Sequence, residues 1–306
     1  MTSRLAPLLA QLAKPLIAQK FMRRELDDML RVCYSFLMTR SYLFGNALVV
    51  TRGAGEMASA VAHCLHSVGL GVVLTETEHP LAIRRAVSFS DAVYDGRAVV
   101  DGVVARRADG PAALESILAQ GDIALLVDPA GRCIAELQPL AVIDAIMAKR
   151  NLGTRLADAP IVIALGPGFC AGVDCHAVIE TNRGHDLARI IWQGTAEPNS
   201  GAPAPILGHA HDRVLRSPSA GVVRWNARIG DLTQTAQVLG EVGGAPVCAP
   251  FAGVLRGAIR DGSHVEAGAK IGDVDPRGEP RAAFTISDKA RAIAGATLQA
   301  LLMLLR

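Results

Sequence analysis

Residues 49–80 read VVTRGAGEMASAVAHCLHSVGLGVVLTETEHP. A short apolar run ending at Thr51 meets the turn Gly53-Ala54-Gly55. Apolar residues then recur at helical spacing through MASAVAHCLHSVG, which ends on Gly69 as a C-cap, and a second apolar run, GVVLTE, follows. Strand, glycine turn, helix and strand make a βαβ unit. In the glycine fingerprint of such units the first glycine, Gly53, makes the tight turn and the second, Gly55, lets backbone approach a pyrophosphate. At the third position, Ala58 lets the helix pack on the strand. The helix N-terminus adds free N–H groups and partial positive charge for an anion. Glu76, 21 residues after Gly55, stands at the end of the second strand, where an acid would hold ribose hydroxyls. One residue opposes this reading: the carboxylate of Glu56 would repel a phosphate unless it points to solvent or pairs with Arg52.

The pattern continues beyond this unit. RAVVDGVVARR, 97–107, is two β runs joined by Asp101-Gly102, a strong two-residue hairpin signal. PAALESILAQG is a helix with proline at its start and glycine after its end. DIALLVDP and APIVIALGPGF are further buried strands, and LQPLAVIDAIMAKR, between them, is expected to be a helix. Strands alternating with helices predict an α/β domain over 46–208, a Rossmann-like, mostly parallel sheet covered on both faces.

Composition sets limits. The chain has 306 residues, 31 Lys+Arg against 29 Asp+Glu, and 4% aromatics. Neither the basic footprint nor the stacking platform of a nucleic-acid binder is present. Six scattered cysteines without a CxxC pair imply reduced thiols. The apolar run Ala292–Leu305 is too short to span a bilayer, so no membrane association is expected. Pro7 and Pro15 interrupt any signal-peptide core. Residues 1–45 are expected to be a poorly packed extension, with short amphipathic helices over about 21–37, or else upstream sequence with Met38 as the natural start.

From Pro218 onward the chain repeats itself. SPSAGVVRWNARIGDLTQTAQVLGEV (217–242) aligns without gaps on APFAGVLRGAIRDGSHVEAGAKIGDV (249–274) at an offset of 32. The paired glycines are 221 with 253, 230 with 262 and 240 with 272. These phrases resemble the halves of biotinyl/lipoyl-type barrel-sandwich domains and predict an inserted all-β domain over 209–277. The join, Val242-Gly243-Gly244-Ala245-Pro246, has no lysine to carry a prosthetic group, and Lys270 lies inside the second half. A structural or substrate-covering role is expected instead. RAAFTISD then reads as a strand and KARAIAGATLQALLMLLR as a helix, so 278–306 returns to the α/β domain.

Several further residues are candidates for chemistry. Arg84 and Arg85 follow the acidic edge, and paired arginines make bidentate contacts to phosphate or carboxylate. Gly166-Pro167-Gly168 is a second glycine turn at a strand's carboxyl end, where ligands sit in open α/β sheets. Asp174 and His176 alternate, so both are expected to project from one strand face. With Glu180 they are the candidates for acid–base work, and a metal role is disfavoured. Cys170 and Cys175 are read as small buried thiols. His209, His211 and Asp212 are read as surface, and no residue set is assigned to a metal.

Three long phrases together resemble the YqeB-like family, accessory proteins of the selenium-dependent molybdenum hydroxylase system. They are TRGAGEMASAVAHCLHSVGLGVVLTETEHPLAIRRAVSFSDAVYDG, LGPGFCAGVDCHAVIETNRGHDLARIIWQG and IGDVDPRGEPRAAFTISDKARAIAGATLQALL. The family's Rossmann portion is similar to the maturation chaperones of xanthine dehydrogenase. The resemblance implies a cytoplasmic maturation factor that works with a molybdenum hydroxylase client enzyme and other cofactor-maturation proteins, and a homo-oligomer is possible. Two readings follow. In the first, a molybdopterin-type or nucleotide cofactor is held by Gly53, Gly55, Ala58, Glu76, Arg84, Arg85, Gly166 and Gly168. In the second, the same cradle holds NAD(P) for an oxidoreductase with His176 as acid or base. The residues leave open whether the protein is an enzyme.

Overall fold

The computed structural model describes residues 47–199, 201 and 205–306. The expectation for residues 1–45 lies outside the described residues.

A nine-stranded sheet organises the first part, in the order β10-β9-β7-β6-β1-β2-β5-β4-β3. Its strands are β1 (Leu48–Arg52), β2 (Gly71–Glu76), β3 (Arg97–Val100), β4 (Val103–Arg107), β5 (Ile123–Val127), β6 (Ala141–Asp144), β7 (Ile161–Leu165), β9 (Ala177–Ile179) and β10 (Ile190–Ile191). A separate two-stranded ribbon pairs β8 (Cys170–Ala171) with β11 (Gly194–Thr195). Every pairing from β9 across to β4 is parallel, and the edge strands β10 and β3 are antiparallel. The fold is therefore mixed α/β with a large, mostly parallel sheet. β1, β6 and β7 are apolar runs buried on both faces, as strands covered by helices must be. The β3–β4 hairpin turns on Asp101 (φ 43°) and Gly102 (φ 83°), left-handed at both central positions as a tight hairpin requires.

Two expected elements differ. Helix was expected across 137–150, but Ala141–Asp144 is β6, the strand between β1 and β7. A short apolar run fits either state, and here pairing on both sides decides for strand. RAAFTISD was expected as a strand and instead forms the short helix Arg281–Phe284, with Pro280 as its N-cap. Proline's fixed φ suits a helix start and leaves no donor for a ladder.

The closing helix Asp288–Leu304 packs on the helix Glu56–Ser67 and on β7 and β9. Its N-cap Ser287 accepts from the Ala290 N–H at 3.3 Å.

The repeat folds as two four-stranded antiparallel sheets, β12-β19-β17-β14 and β16-β15-β13-β18. These strands are β12 (Val214–Arg216), β13 (Gly221–Trp225), β14 (Leu232–Thr233), β15 (Val238–Val242), β16 (Ala245–Cys248), β17 (Gly253–Ala258), β18 (His264–Val265) and β19 (Lys270–Asp275). The 32-residue offset maps β13, β14 and β15 onto β17, β18 and β19. Within each half the first strand pairs the third (β13 with β15, β17 with β19). The middle strand crosses to the other half, β14 to β17 and β18 to β13. Equivalent residues fill one shared core: Val223 with Leu255, Leu239 with Ile271, and Val242 with Val274. Gly240 is fixed by close approach, since a Cβ there would lie 2.3 Å from the Arg224 carbonyl oxygen.

This β part is seated on the α/β part. The Ala258 N–H donates to the Ile83 carbonyl at 2.9 Å. Arg260 makes a bidentate pair with Asp95 at 2.9 and 2.7 Å.

Candidate functional site

The parallel strands end along one edge of the sheet, and the loops leaving that edge meet the β part around a cavity of about 820 Å³. The sheet side contributes Glu56 and Met57 from the first helix, Lys149, Pro167 and the segment Thr181–Gly184. The β part contributes Arg213, Arg216, Arg256, Lys270 and Asp273, and the closing helix adds Ser287 and Lys289. Eight lining side chains are Lys or Arg and three are Asp or Glu. A wall with that excess of positive charge is matched to an anion.

The lysines are the most informative of these residues. The chain contains five, and the three beyond Lys20 (Lys149, Lys270 and Lys289) all line this cavity. Elsewhere in the described residues the cationic side chains are arginines. Arg183 donates to Asp288 at 2.8 and 2.7 Å, and Arg213 and Arg256 both reach Asp273. None of the three lysines has an ion pair or side-chain hydrogen bond among the described residues. Loss of water around the ammonium pushes each one below the usual lysine range, although Lys149 and Lys270 are exposed as whole residues and Lys289 is half-buried. For Lys289 the like charges of Lys149 and Arg183 add to that. For Lys270 the nearby Asp273 opposes it and Arg213 and Arg256 reinforce it. A bound anion would offset that penalty and favour the ammonium form of each.

The glycine turns position this wall more than they form it. Gly53 (φ 94°) makes the tight turn after β1, and a Cβ there would lie 3.0 Å from the Ala145 carbonyl oxygen. Gly55 is the N-cap of the helix Glu56–Ser67, has ordinary extended backbone, and has open space where a Cβ would be. Ala58, in the first turn of that helix, is fully buried. Glu76 accepts from the Ala54 N–H at 2.9 Å and the Thr77 N–H at 2.8 Å, so its carboxylate is tied to the turn itself. Gly166 packs on Thr181, and Gly168 lets the Lys149–Arg150 backbone cross it: a Cβ at 168 would lie 2.6 Å from Arg150 Cα. Lys149 owes its place at the cavity to that contact.

Other expectations are corrected. Arg84 and Arg85 do not converge on one anion. Arg84 is buried, donates to the Ala282 carbonyl at 3.0 Å, lies 3.6 Å from Glu56, and lines the cavity. Arg85 turns the other way, to the Ala258 carbonyl at 2.8 Å and Asp91 at 2.7 Å. Consecutive residues at the start of a 3₁₀ turn diverge, which sequence adjacency does not reveal. Nor does Arg52 pair with Glu56: it is held by Thr154 and lies 3.5 Å from Asp144 at the end of β6.

Asp174 and His176 do not share a strand face. They lie in the turn before β9, at the amino edge of the sheet and away from the cavity. Asp174 accepts from the Cys170 N–H at 2.8 Å, and His176 Nδ1 accepts from the Val162 N–H at 3.0 Å. Glu180 does lie at the carboxyl edge, but its buried carboxylate accepts from three backbone N–H groups, those of Thr181, Asn182 and Glu197, at 2.6–2.7 Å. Those bonds tie it to the loop backbone. Cys175 is fully buried and its thiol is pushed up to about 12, mainly by burial, so it is no nucleophile at neutral pH. His209 pairs with Asp212 and stacks on Phe251.

Among the described residues no helix is long and apolar enough to cross a membrane. No family model matches the chain. Among solved structures, TcdA (CsdL) is 18% identical, with 42% of this chain and 52% of that one covered and a TM-score of 0.25. An aspartoacylase family protein from Mesorhizobium loti is 13% identical, with 75% and 85% covered and a TM-score of 0.26. At those scores neither likeness bears on fold or chemistry. A curated relative is far nearer: the uncharacterized protein YqeB of Escherichia coli (strain K12) is 49% identical over 269 residues, 88% of this chain. The chain spans about half the length of that relative, 50% of it. The likeness to YqeB is thus one of sequence over about half of that relative.

Proposed function

We propose that this protein binds a phosphate-bearing cofactor, of molybdopterin type or a nucleotide, in the basic cavity at the sheet's carboxyl edge. It does so as an accessory factor in the maturation of selenium-dependent molybdenum hydroxylases. The observation that carries the binding half is the convergence of Lys149, Lys270 and Lys289, from three distant parts of the chain, on one cavity without ion-pair partners. A phosphate-bearing group fits that donor set: ammonium groups are point-charge phosphate ligands. Lys149 and Lys289 would hold such a group on the sheet side, and Lys270 and Arg216 on the β side. The maturation half rests on the family resemblance. The relative's name assigns it no activity.

In this reading the duplicated β part is a barrel-sandwich-type domain used as a wall of the cavity, with no carrier role. Its join is the lysine-free turn Gly243-Gly244 between β15 and β16. Mass spectrometry that found a lipoyl or biotinyl group on Lys270 would overturn that part.

A second reading, an NAD(P)-dependent oxidoreductase, draws on one observation: the space over Gly55 is open where a dinucleotide's pyrophosphate would approach. Binding of the purified protein to NAD(P) and to molybdopterin, measured side by side by calorimetry, separates the two. The first reading expects binding to molybdopterin that weakens in Lys149→Gln and Lys289→Gln. Tight binding to NAD(P) that is lost in Gly55→Val would favour the second.

A further inference from the structure

The positive charge in the cavity is not one patch. On the sheet side, Lys149 and Lys289 stand together, with Arg183 held beside them through its bidentate pair to Asp288. On the β side, Arg216 and Lys270 are cross-strand partners on β12 and β19. Arg213 and Arg256 sit next to them, both held by the carboxylate of Asp273. That side carries four cationic groups, with Asp273 between Arg213 and Arg256 and Asp275 3.1 Å from Arg256.

Between the two lies Glu56. Its Oε1 accepts from the Ser287 hydroxyl at 3.0 Å, at the cap of the helix that bears Lys289. The same oxygen is 3.6 Å from Arg84, whose guanidinium senses Arg256 and Asp273 on the β side. The fields of Lys270 and Lys289 both include Glu56. Glu56 thus puts a negative centre between two positive groups, and Glu180 and Glu197 add negative charge on the sheet side.

We propose that the cavity selects a small molecule with two anionic groups held apart. One would be bound by Lys149 and Lys289 and the other by Lys270 and Arg216, with a centre that offers hydrogen-bond donors to Glu56. This rests on the anion-binding reading of the cavity and adds to it the ligand's charge pattern. A single compact anion satisfies one end and leaves the other unpaired. A continuous polyanion meets Glu56 in the middle and is repelled. The ligand class is a bis-anionic molecule, such as a phosphate ester with a second phosphate or carboxylate at its far end and hydroxyl or amide groups between. It also joins two parts of the fold, since each end is held by a different one.

The test uses the full chain and two matched ligand series, alkyl monophosphates and α,ω-alkanediol bisphosphates of increasing length, with inorganic phosphate as reference, titrated by calorimetry at low salt. Once one end is bound, the second contact is intramolecular, so one bisphosphate length is expected to bind on the order of tenfold or more tighter than its monophosphate. Lys270→Gln and Lys289→Gln should each reduce that bisphosphate to monophosphate affinity. Both lysines lack ion pairs, so neither change removes a contact that holds the fold, and the wild-type comparison of the two series is decisive without the variants. If phosphate and monophosphates bind but no bisphosphate binds tighter, the two-ended pattern is wrong and the anion cavity stands. If no phosphate compound binds, both the cavity reading and this proposal fall.

Discussion

The Glu56 carboxylate, directly after the second glycine of the β1 turn, lies 3.6 Å from the Arg84 guanidinium and accepts a 3.0 Å hydrogen bond from Ser287. It neither points to bulk solvent nor pairs with Arg52. It closes one side of the basic cavity and supplies a counter-charge to a buried arginine.

Glu56→Gln should therefore have two opposite effects. The fold loses a charged partner for Arg84, which burial already pushes below the usual guanidinium range, at a cost of about 1–3 kcal/mol. Affinity for an anion in the cavity should rise, by no more than about 1 kcal/mol for one removed charge at partly solvated range. Thermal melting and phosphate titration on the same preparation check both signs. Higher stability together with weaker binding would place Glu56 outside the cavity's field.

The two glycine turns should respond differently to a methyl group. Gly55→Ala places its Cβ in open space at ordinary φ and should change stability by no more than about 0.5 kcal/mol. Gly168 has φ 108°, and a Cβ there would lie 2.6 Å from Arg150 Cα. Gly168→Ala should cost about 1–3 kcal/mol and weaken anion binding by displacing Lys149. Chemical denaturation with a parallel phosphate titration checks this. A Gly55→Ala variant that lost anion binding with its stability intact would return the site to the first turn.

Asp273 is the acid that holds both Arg213 and Arg256, and it is 2% exposed. Asp273→Asn leaves Arg213 without a carboxylate and Arg256 with Asp275 alone, 3.1 Å away, and should destabilise the fold by about 3 kcal/mol. The same change adds net positive charge to the β-side wall, so whatever remains folded should bind phosphate more tightly. Denaturation midpoints and titration at a temperature below the variant's transition separate the two effects.

The parts of this account that could be read from sequence are those carried by local spacing. Gly53, Gly55 and Ala58 mark a strand–turn–helix because each has a local steric duty. The 32-residue repeat is legible because its glycines and core valines recur where equivalent strands need them. Local spacing failed where a partner strand or a distant loop decides. The run at Ala141–Asp144 becomes a strand only because β1 and β7 flank it, and Asp174 and His176 alternate in a turn that has no shared face. The cavity itself was invisible to motifs, since Lys149, Lys270 and Lys289 lie on a loop, a strand and a helix that only the fold assembles. One signal was present: the chain uses arginine for most of its cations and keeps its three lysines beyond Lys20 for these positions. Lys270 stands at the start of β19, a place that does not suit a carrier lysine.

The lysines also set a pH dependence. Their folded-state values lie below the ordinary 10.5, so between the two the unfolded chain binds more protons than the folded one. Without ligand, stability contributed by these groups should rise as pH increases through that window. Anion binding needs the ammonium forms and should weaken over the same range. Melting curves with and without phosphate from about pH 7 to about pH 10 should show the ligand's stabilising shift shrinking as pH rises. A shift that grows with pH would mean the lysines do not hold the anion.

The most direct test of the central claim is to locate a bound anion. Crystals soaked in tungstate, a heavy tetrahedral analogue of phosphate, yield its position from anomalous scattering. A peak is expected within hydrogen-bonding reach, about 3 Å, of the Lys270 Nζ or of Lys149 and Lys289 Nζ. This peak should disappear in the Lys149→Gln, Lys270→Gln, Lys289→Gln triple variant. A peak at the Ala54–Gly55 backbone with nothing near the three lysines would contradict the central claim.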